Sequence, residues 1–185
     1  MTTAAYLIDG VRTPFGKRGR ALSGLTSIDL GTAVIAEMIF RHPDAAHSDG
    51  VLMGVVVQAG LGQNPARKAA FEAGVALTVP AMTLNNVCLA GLDSVCDATR
   101  RIRAGEGDTY MVGGFDSMSR NVPVITKTGR EPVNAVDLDG LTCSLTGEGM
   151  GLPVGQHEPR AQHRSGGAGR VVVGLASARS AGAIR

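Results

Sequence analysis

The chain has 185 residues, 44% hydrophobic and 18% charged, enough for one well-buried domain with an appendage. A formal net charge of +2, with arginines scattered rather than gathered on a stripe, argues against a nucleic acid or an anionic membrane as partner. Aromatics reach only 3% and tryptophan is absent, so the core must be built from Val, Ile, Leu, Ala and Met.

From the N-terminus, Ala4 to Asp9 reads as a short buried strand closed by Gly10. No basic stretch precedes it, as a secretory signal would require, and no apolar run approaches the ~20 residues that span a bilayer. The segment from Arg12 to Arg20 is a charged loop punctuated by Pro14, Gly16 and Gly19. Thr26 or Ser27 caps a helix that runs to about Phe40, with Ile28, Val34, Ile35, Met38 and Ile39 at helical spacing. The continuous apolar run Val51 to Val57 predicts a parallel strand covered on both faces. Pro65 opens a second helix to Glu72, and Ala81 to Leu84 is a third strand. A longer helix spans Val87 to Ala104, with Leu89, Leu92, Cys96 and Thr99 as its apolar stripe and Gly105 as its stop. Asp108 to Val112 is a fourth strand. The alternation argues an α/β layer with a mostly parallel sheet. From Phe115 to Met150 the pattern dissolves into a loop-rich excursion. After Gly151 the chain turns polar, basic and glycine-rich, which predicts poor order over 152–185, with Val171 to Val173 as its only strand seed.

Three cysteines cannot all pair within one chain, and they show neither C-x-x-C spacing nor a Cys/His cluster. A disulfide framework and a zinc site are therefore not expected, and a reducing cytoplasm fits best. Cys88 follows a strand and falls in the first turn of the predicted helix, where free N–H groups and the positive helix end favour a thiolate. That is a good place for an acyl-accepting nucleophile. It also suits a small cysteine filling a gap at a strand–helix corner, and the residues alone leave both readings open. Cys96, on the apolar stripe, is expected in the core, and nothing near Cys143 activates it. His42 and His47 flank a helix-ending turn and are expected to be solvated, while His157 and His163 fall in the tail. Gly147 to Gly151 lacks the strand and helix of a dinucleotide loop, and Lys17 to Arg20 is most simply a solvated turn.

Several blocks, in order, resemble the thiolases, and acetyl-CoA acetyltransferases and 3-ketoacyl-CoA thiolases among them. Ile8 to Gly16 is similar to the family's opening strand and loop, and Gly60 to Arg67 to its G-x-G-Q-N-P-A-R segment. Asn86 to Leu92 resembles the nucleophile motif. Ile102 to Gly105 and Gly113 to Ser119 resemble the I-R-A-G and A-G-G-x-[DE]-S-M-S blocks. Asp139 to Thr142 and Gly149 to Gly151 resemble elements of the loop domain.

The resemblance implies a thiolase-like layered αβα domain, mostly parallel and incomplete. It divides the chain into a core over 1–115, part of a loop domain over 116–151, and an unrelated tail over 152–185. It implies that Cys88 takes an acyl group from acyl-CoA or a 3-ketoacyl-CoA, followed by Claisen condensation or thiolysis in fatty acid metabolism. No metal or organic cofactor beyond CoA substrates is implied. The implied partners are CoA thioesters and a homo-oligomer or thiolase-like chain, with Gln63 to Arg67 near the contact; neither nucleic acid nor membrane is expected. The family's G-H-P histidine, its second cysteine in C-x-G-G-G and an active-site asparagine belong to a further domain without counterpart here. A strand completing the first sheet is expected to be missing too, and turnover by this chain alone is not expected. An abrupt loss of likeness after Gly151 is the pattern a reading-frame change in GC-rich DNA leaves. The alternative reading is a catalytically dead dimerisation or binding module; a ketoacyl synthase on the same fold fits the Cys88 and Gly113 blocks less well.

Overall fold

The computed structural model describes residues 4–127, 129 and 131–151, and the backbone of 175–177. After the edge strand β1 (Ala5–Leu7), Thr26 opens α1 (Ser27–Arg41) with a reciprocal cap. The Asp29 N–H donates to Thr26 Oγ1 at 3.2 Å and the Thr26 N–H donates to Asp29 Oδ2 at 2.7 Å. The Thr26 N–H, and after it the Thr26 hydroxyl donating to the same oxygen at 2.8 Å, hold the Asp29 carboxyl below its ordinary range. A short 3₁₀ turn, Pro43–His47, leads into β2 (Gly50–Gly54), which is buried throughout. The strand ends at Gly54, although Val55 and Val57 continue fully buried. Next come α2 (Pro65–Glu72), β3 (Ala81–Leu84), α3 (Ala90–Ala104) and β4 (Thr109–Gly114). Gly105, at φ 78°, ends α3 in the left-handed region that favours glycine.

In the excursion, β5 (Pro123–Val124) pairs antiparallel with β6 (Val133–Asn134), and one π turn follows over Val136–Gly140. Far along the chain, β7 (Leu175–Ser177) returns to the main sheet. The strand order is β1-β7-β4-β2-β3, with β2 parallel to β3 and β4, and β7 antiparallel to both β1 and β4. An α/β domain with a mostly parallel sheet is thus observed.

Alternation along the strands explains the layers. Val51, Met53 and Met111 face α1 and α2, where they pack with Ile28, Ile35, Met38, Ala66 and Ala70. Leu52, Tyr110 and Val112 face α3, where they pack with Ala98 and Ile102. Successive residues of a strand point to opposite faces, so one short apolar run fills two cores.

The first strand, expected to be buried, leaves Tyr6 and Leu7 half-exposed at the sheet edge, and two further expectations need correction. The apolar stripe on the third helix is the outer face: Leu89, Leu92 and Cys96 are exposed, while Ala90, Ser94, Ala98 and Ile102 are buried. Small residues let the helix lie close to the sheet, and that proximity outweighs the larger side chains of the other stripe. The second correction concerns the segment read as a poorly ordered tail and the sheet strand read as missing. Leu175–Ser177 forms a strand between β1 and β4, because two strand edges offer it backbone pairing on both sides. Residues 152–174 and 178–185, including the seed Val171 to Val173 and both tail histidines, lie outside the described residues.

Candidate active site

Three parallel strands, β2, β3 and β4, end at one edge of the sheet, and the N-terminus of α3 rests on that edge. Gly54 makes the approach possible: a Cβ there would stand 2.4 Å from the carbonyl carbon of Ala90 and 2.6 Å from the Gly91 nitrogen. A Cβ on Gly114 would likewise sit 3.0 Å from the Gly54 oxygen. Ser94 then rivets helix to sheet. Its buried hydroxyl accepts from the Gly113 N–H at 3.0 Å and lies within donating distance of the carbonyls of Gly91 at 2.7 Å and Gly113 at 3.1 Å.

The link from β3 to α3 is a tight turn that carries Cys88. Val87 has φ 49°, a left-handed backbone that β-branched residues avoid and that costs on the order of 1–3 kcal/mol. Local bonds hold it there. The Val87 N–H donates to Asn85 Oδ1 at 3.0 Å, Leu89 N–H to Asn86 O at 3.1 Å and Ala90 N–H to Val87 O at 3.0 Å. The Asn86 side-chain amide donates to the Asp93 carboxylate on the first turn of α3. Cys88 is exposed at the tip, just before Ala90 opens the helix, rather than inside the first turn as the sequence suggested. The bonds of Leu89 and Ala90 span three residues, as in a tight turn, and the first four-residue helical bond runs from the Asp93 N–H to the Leu89 carbonyl, so the helix starts late.

Asn85 extends the network outward, its Nδ2 donating to the Val56 carbonyl at 3.0 Å. Asp116, just past β4, accepts the N–H groups of Val56 at 3.1 Å and Val57 at 3.0 Å. Burial pushes the Asp116 carboxyl up, and the two backbone donors oppose that shift. Sequence reasoning quoted Asp116 only as part of a block and missed its contact, because the partners lie 60 and 59 residues away. The one available signal was an acidic residue next to a buried β4, where an unpartnered carboxylate would be costly.

The other candidates fall elsewhere. His42 is not simply solvated: its Nε2 lies 3.0 Å from Asp9 Oδ2, with the Arg41 guanidinium 3.6 Å from the same oxygen. The bond from His42, then that from the Gly10 N–H, lowers the Asp9 carboxyl. His47 is exposed, as expected, in the turn that precedes β2. Cys143 does have an activating neighbourhood, contrary to the sequence reading. The Thr146 hydroxyl first, then the N–H groups of Thr146 and Leu145, bring its thiol below the ordinary value. Arg18 pairs with Asp137 at 3.2 Å and the Gly19 N–H donates to Ser119 Oγ at 2.9 Å, so the basic loop tethers the excursion. Gln63 is exposed, and Arg67 donates to the Val79 carbonyl. A cavity of about 320 Å³ lies between the Arg12 to Arg18 loop, α1 and the segment after β4, and includes no residue of the Cys88 turn. Among the described residues no cluster of three His, Cys, Asp or Glu could hold a metal ion, and no helix is long and apolar enough to cross a membrane.

These features define an α/β domain that presents a cysteine at the carboxyl edge of parallel strands, where open sheets of this class place their ligands. The family model described as "Thiolase, N-terminal domain" matches residues 5–154, and the chain belongs to the thiolase family. An acetyl-CoA acetyltransferase of Escherichia coli (strain K12) is 39% identical over 155 residues, covering 79% of this chain and 39% of that one. A beta-ketoadipyl-CoA thiolase of Escherichia coli is 43% identical over 119 residues, or 63% of this chain and 30% of that one. A thiolase from Ascaris suum, solved in complex with coenzyme A, superposes with a TM-score of 0.76 at 29% identity, over 82% of this chain and 41% of that one. The chain thus spans well under half the length of the relatives it matches. The family match runs just past Gly151, where the likeness had been read to end.

Proposed function

We propose that this chain is the nucleophile-bearing part of a thiolase-type acyl-CoA acyltransferase, and that Cys88 forms the acyl-enzyme. The single observation that supports this most is the placement of an exposed thiol on a strained strand-to-helix turn at the carboxyl edge of the sheet. The Cys88 thiolate attacks the thioester carbonyl of an acyl-CoA. The tetrahedral oxyanion collapses, the C–S bond to CoA breaks, and the CoA thiolate leaves and takes up a proton. The positive N-terminal end of α3, which begins two residues after Cys88, favours the negative charge that develops at the thiolate and the oxyanion. Condensation with a second acyl-CoA, or attack by CoA on the acyl-cysteine formed from a 3-ketoacyl-CoA, completes the two directions. The names of the matching relatives support CoA thioesters as substrates, and fatty acid metabolism in the cytoplasm is the setting this reading proposes.

Among the described residues neither histidine is placed to serve Cys88 as acid or base. His42 is engaged by Asp9, and His47 precedes β2, at the end of the sheet opposite the Cys88 turn. A general acid or base typically contributes ~10²–10⁴-fold in rate. Single acylation without sustained turnover is the expected behaviour of the 185-residue chain. Incubation with acetyl-CoA followed by peptide mass mapping should place one acetyl group on Cys88, abolished in Cys88→Ala. Acetylation spread evenly over Cys88, Cys96 and Cys143 would sink the assignment.

A specific observation favours a second reading, in which the chain acts by pairing with a thiolase-like chain or with itself. Leu89 and Leu92 are 56% and 60% exposed and lie beside exposed Cys96 on one face of α3. An apolar helix face of this kind is usually covered by a partner. Sedimentation velocity tests it. A monomer at every concentration, unchanged when a full-length thiolase is added, would count against pairing.

A further inference from the structure

The turn that carries Cys88 has more support than a strand-to-helix link needs for packing alone. Val87 sits in a backbone region that relaxes unless its surroundings over-determine it. Its N–H is held by Asn85 Oδ1, and the other end of the same amide holds the Val56 carbonyl. Val56 leads out of β2, and its own N–H is held, with that of Val57, by the two oxygens of Asp116. Asp116 in turn is fixed to the end of β4, where the Phe115 N–H donates to the Gly54 carbonyl at 3.0 Å. The Val55 N–H donates to Leu84 O at 2.9 Å, so the exits of β2, β3 and β4 close on one another beneath the turn.

We propose that Asp116 and Asn85 are positioning residues that set the geometry of the Cys88 turn by gripping Val56 from its N–H and its C=O. This rests on the reading of Cys88 as nucleophile. Asp116 never touches the turn; it acts through Val56 and Asn85. Asp116 is half-buried, and moving its carboxylate would leave two backbone donors without partners, so the grip is stiff. Stiffness matters because an attacking atom misplaced by ~1 Å can lose ~10²-fold in rate.

The test uses the full chain and the variants Asn85→Ala, Asn85→Asp and Asp116→Asn, together with the Asn85→Ala/Asp116→Asn double variant. Acetyl transfer from acetyl-CoA and alkylation by iodoacetamide are followed on Cys88 and Cys96 separately. Cys96 is exposed on the outer face of α3, away from this network, so it serves as the internal reference for thiol reactivity. Asn85→Ala should slow Cys88 in both reactions by ~10-fold or more relative to Cys96. Asn85→Asp keeps an acceptor for Val87 but loses the donor to Val56, and its rate should fall between parent and Asn85→Ala. If the two residues act in series, the double variant should be no slower than Asn85→Ala. Asp116→Asn lies in the half-buried junction and could lose the fold, which would show as loss of the cooperative urea transition. Asn85 is on the surface, so its variants decide the matter in that event. An unchanged Cys88 to Cys96 ratio in Asn85→Ala, in a parent that is acetylated on Cys88, overturns the grip alone. A parent that takes no acetyl group on Cys88 overturns the nucleophile reading, and this proposal with it.

Discussion

The core built on β2, β3 and β4 and the excursion that follows β4 are made by different means. In the core, Ile35, Val51, Met53 and Val112 have no exposed surface, and the strands share long parallel ladders. The excursion buries Ala135 and Val136 against Val57 in a small satellite cluster, and its sheet is a pair of two-residue strands. Ile125 and Leu145 stand 70% and 93% exposed. Polar ties take over the work of attachment: the Ser117 N–H donates to Ser27 Oγ at 2.9 Å, the Ser117 hydroxyl to the Leu25 carbonyl at 2.7 Å, and Arg18 pairs with Asp137. Apolar burial thus makes the platform, and hydrogen bonds hang the excursion on it. The Cys88 turn lies where these two regimes meet.

The largest break in this comparison should come from the core. Met53→Ala removes a fully buried side chain and leaves a cavity among α1, α2 and β2. It should cost about 2–5 kcal/mol in urea unfolding. Next comes the junction. Gly54→Ala forces a methyl against the backbone of Ala90 and Gly91, which cannot swing aside as a side chain would. A loss of about 1–3 kcal/mol is expected, together with slower acetylation of Cys88, because the N-terminus of α3 must lift. A stable Gly54→Ala protein with parental Cys88 acetylation would show that the contact is idle.

How much of this was legible follows the same division. The boundaries of α1, α2 and β3, and the two-faced strand at β2, came through because apolar spacing is a local signal that the core enforces. The outer face of α3 misled, since Leu89, Leu92 and Cys96 carry more apolar surface than Ala90, Ser94 and Ala98. What decides which face turns inward is the bare glycine floor at Gly54 and Gly114, which lies on other elements. Likewise β7 is recruited by backbone edges of β1 and β4, and no side-chain pattern at Leu175–Ser177 announces that pairing. Cys88 was legible through its turn and its family motif. The Asp116 to Val56 bonds were not, for they join segments far apart in sequence.

Titration sharpens the contrast between core and junction. The folded Asp29 carboxyl is lowered from 3.8 by its bonds to Thr26. Its stabilisation is therefore present above about that value and is lost as pH falls through the lower folded value. The Asp116 carboxyl is raised from 3.8 by burial. Its contribution has the opposite sign, being fully present below the unfolded value and lost as pH rises through the folded one. In thermal melts against pH, Asp29→Asn should flatten the acid limb, while Asp116→Asn should remove a decline on its alkaline side. The loss of the Thr26 to Asp29 cap should itself cost about 1 kcal/mol. Two variants that shift the pH profile in the same direction would contradict these assignments.

The smallest expected effect is in the excursion, and it is the sharpest test of how that region is built. Leu145 has almost its full surface in solvent, at the tip of the loop that closes with the Cys143 N–H on the Glu148 carbonyl. If polar ties alone hold the excursion, Leu145→Ala changes the urea midpoint by no more than about 0.5 kcal/mol. It should also leave the sedimentation coefficient unchanged. A loss above about 1 kcal/mol would mean that Leu145 is covered in solution, and covering requires a surface that the residues around it do not supply. A loss that grows with protein concentration would identify that surface as a second chain, and the excursion would then belong with the exposed face of α3 as part of an interface.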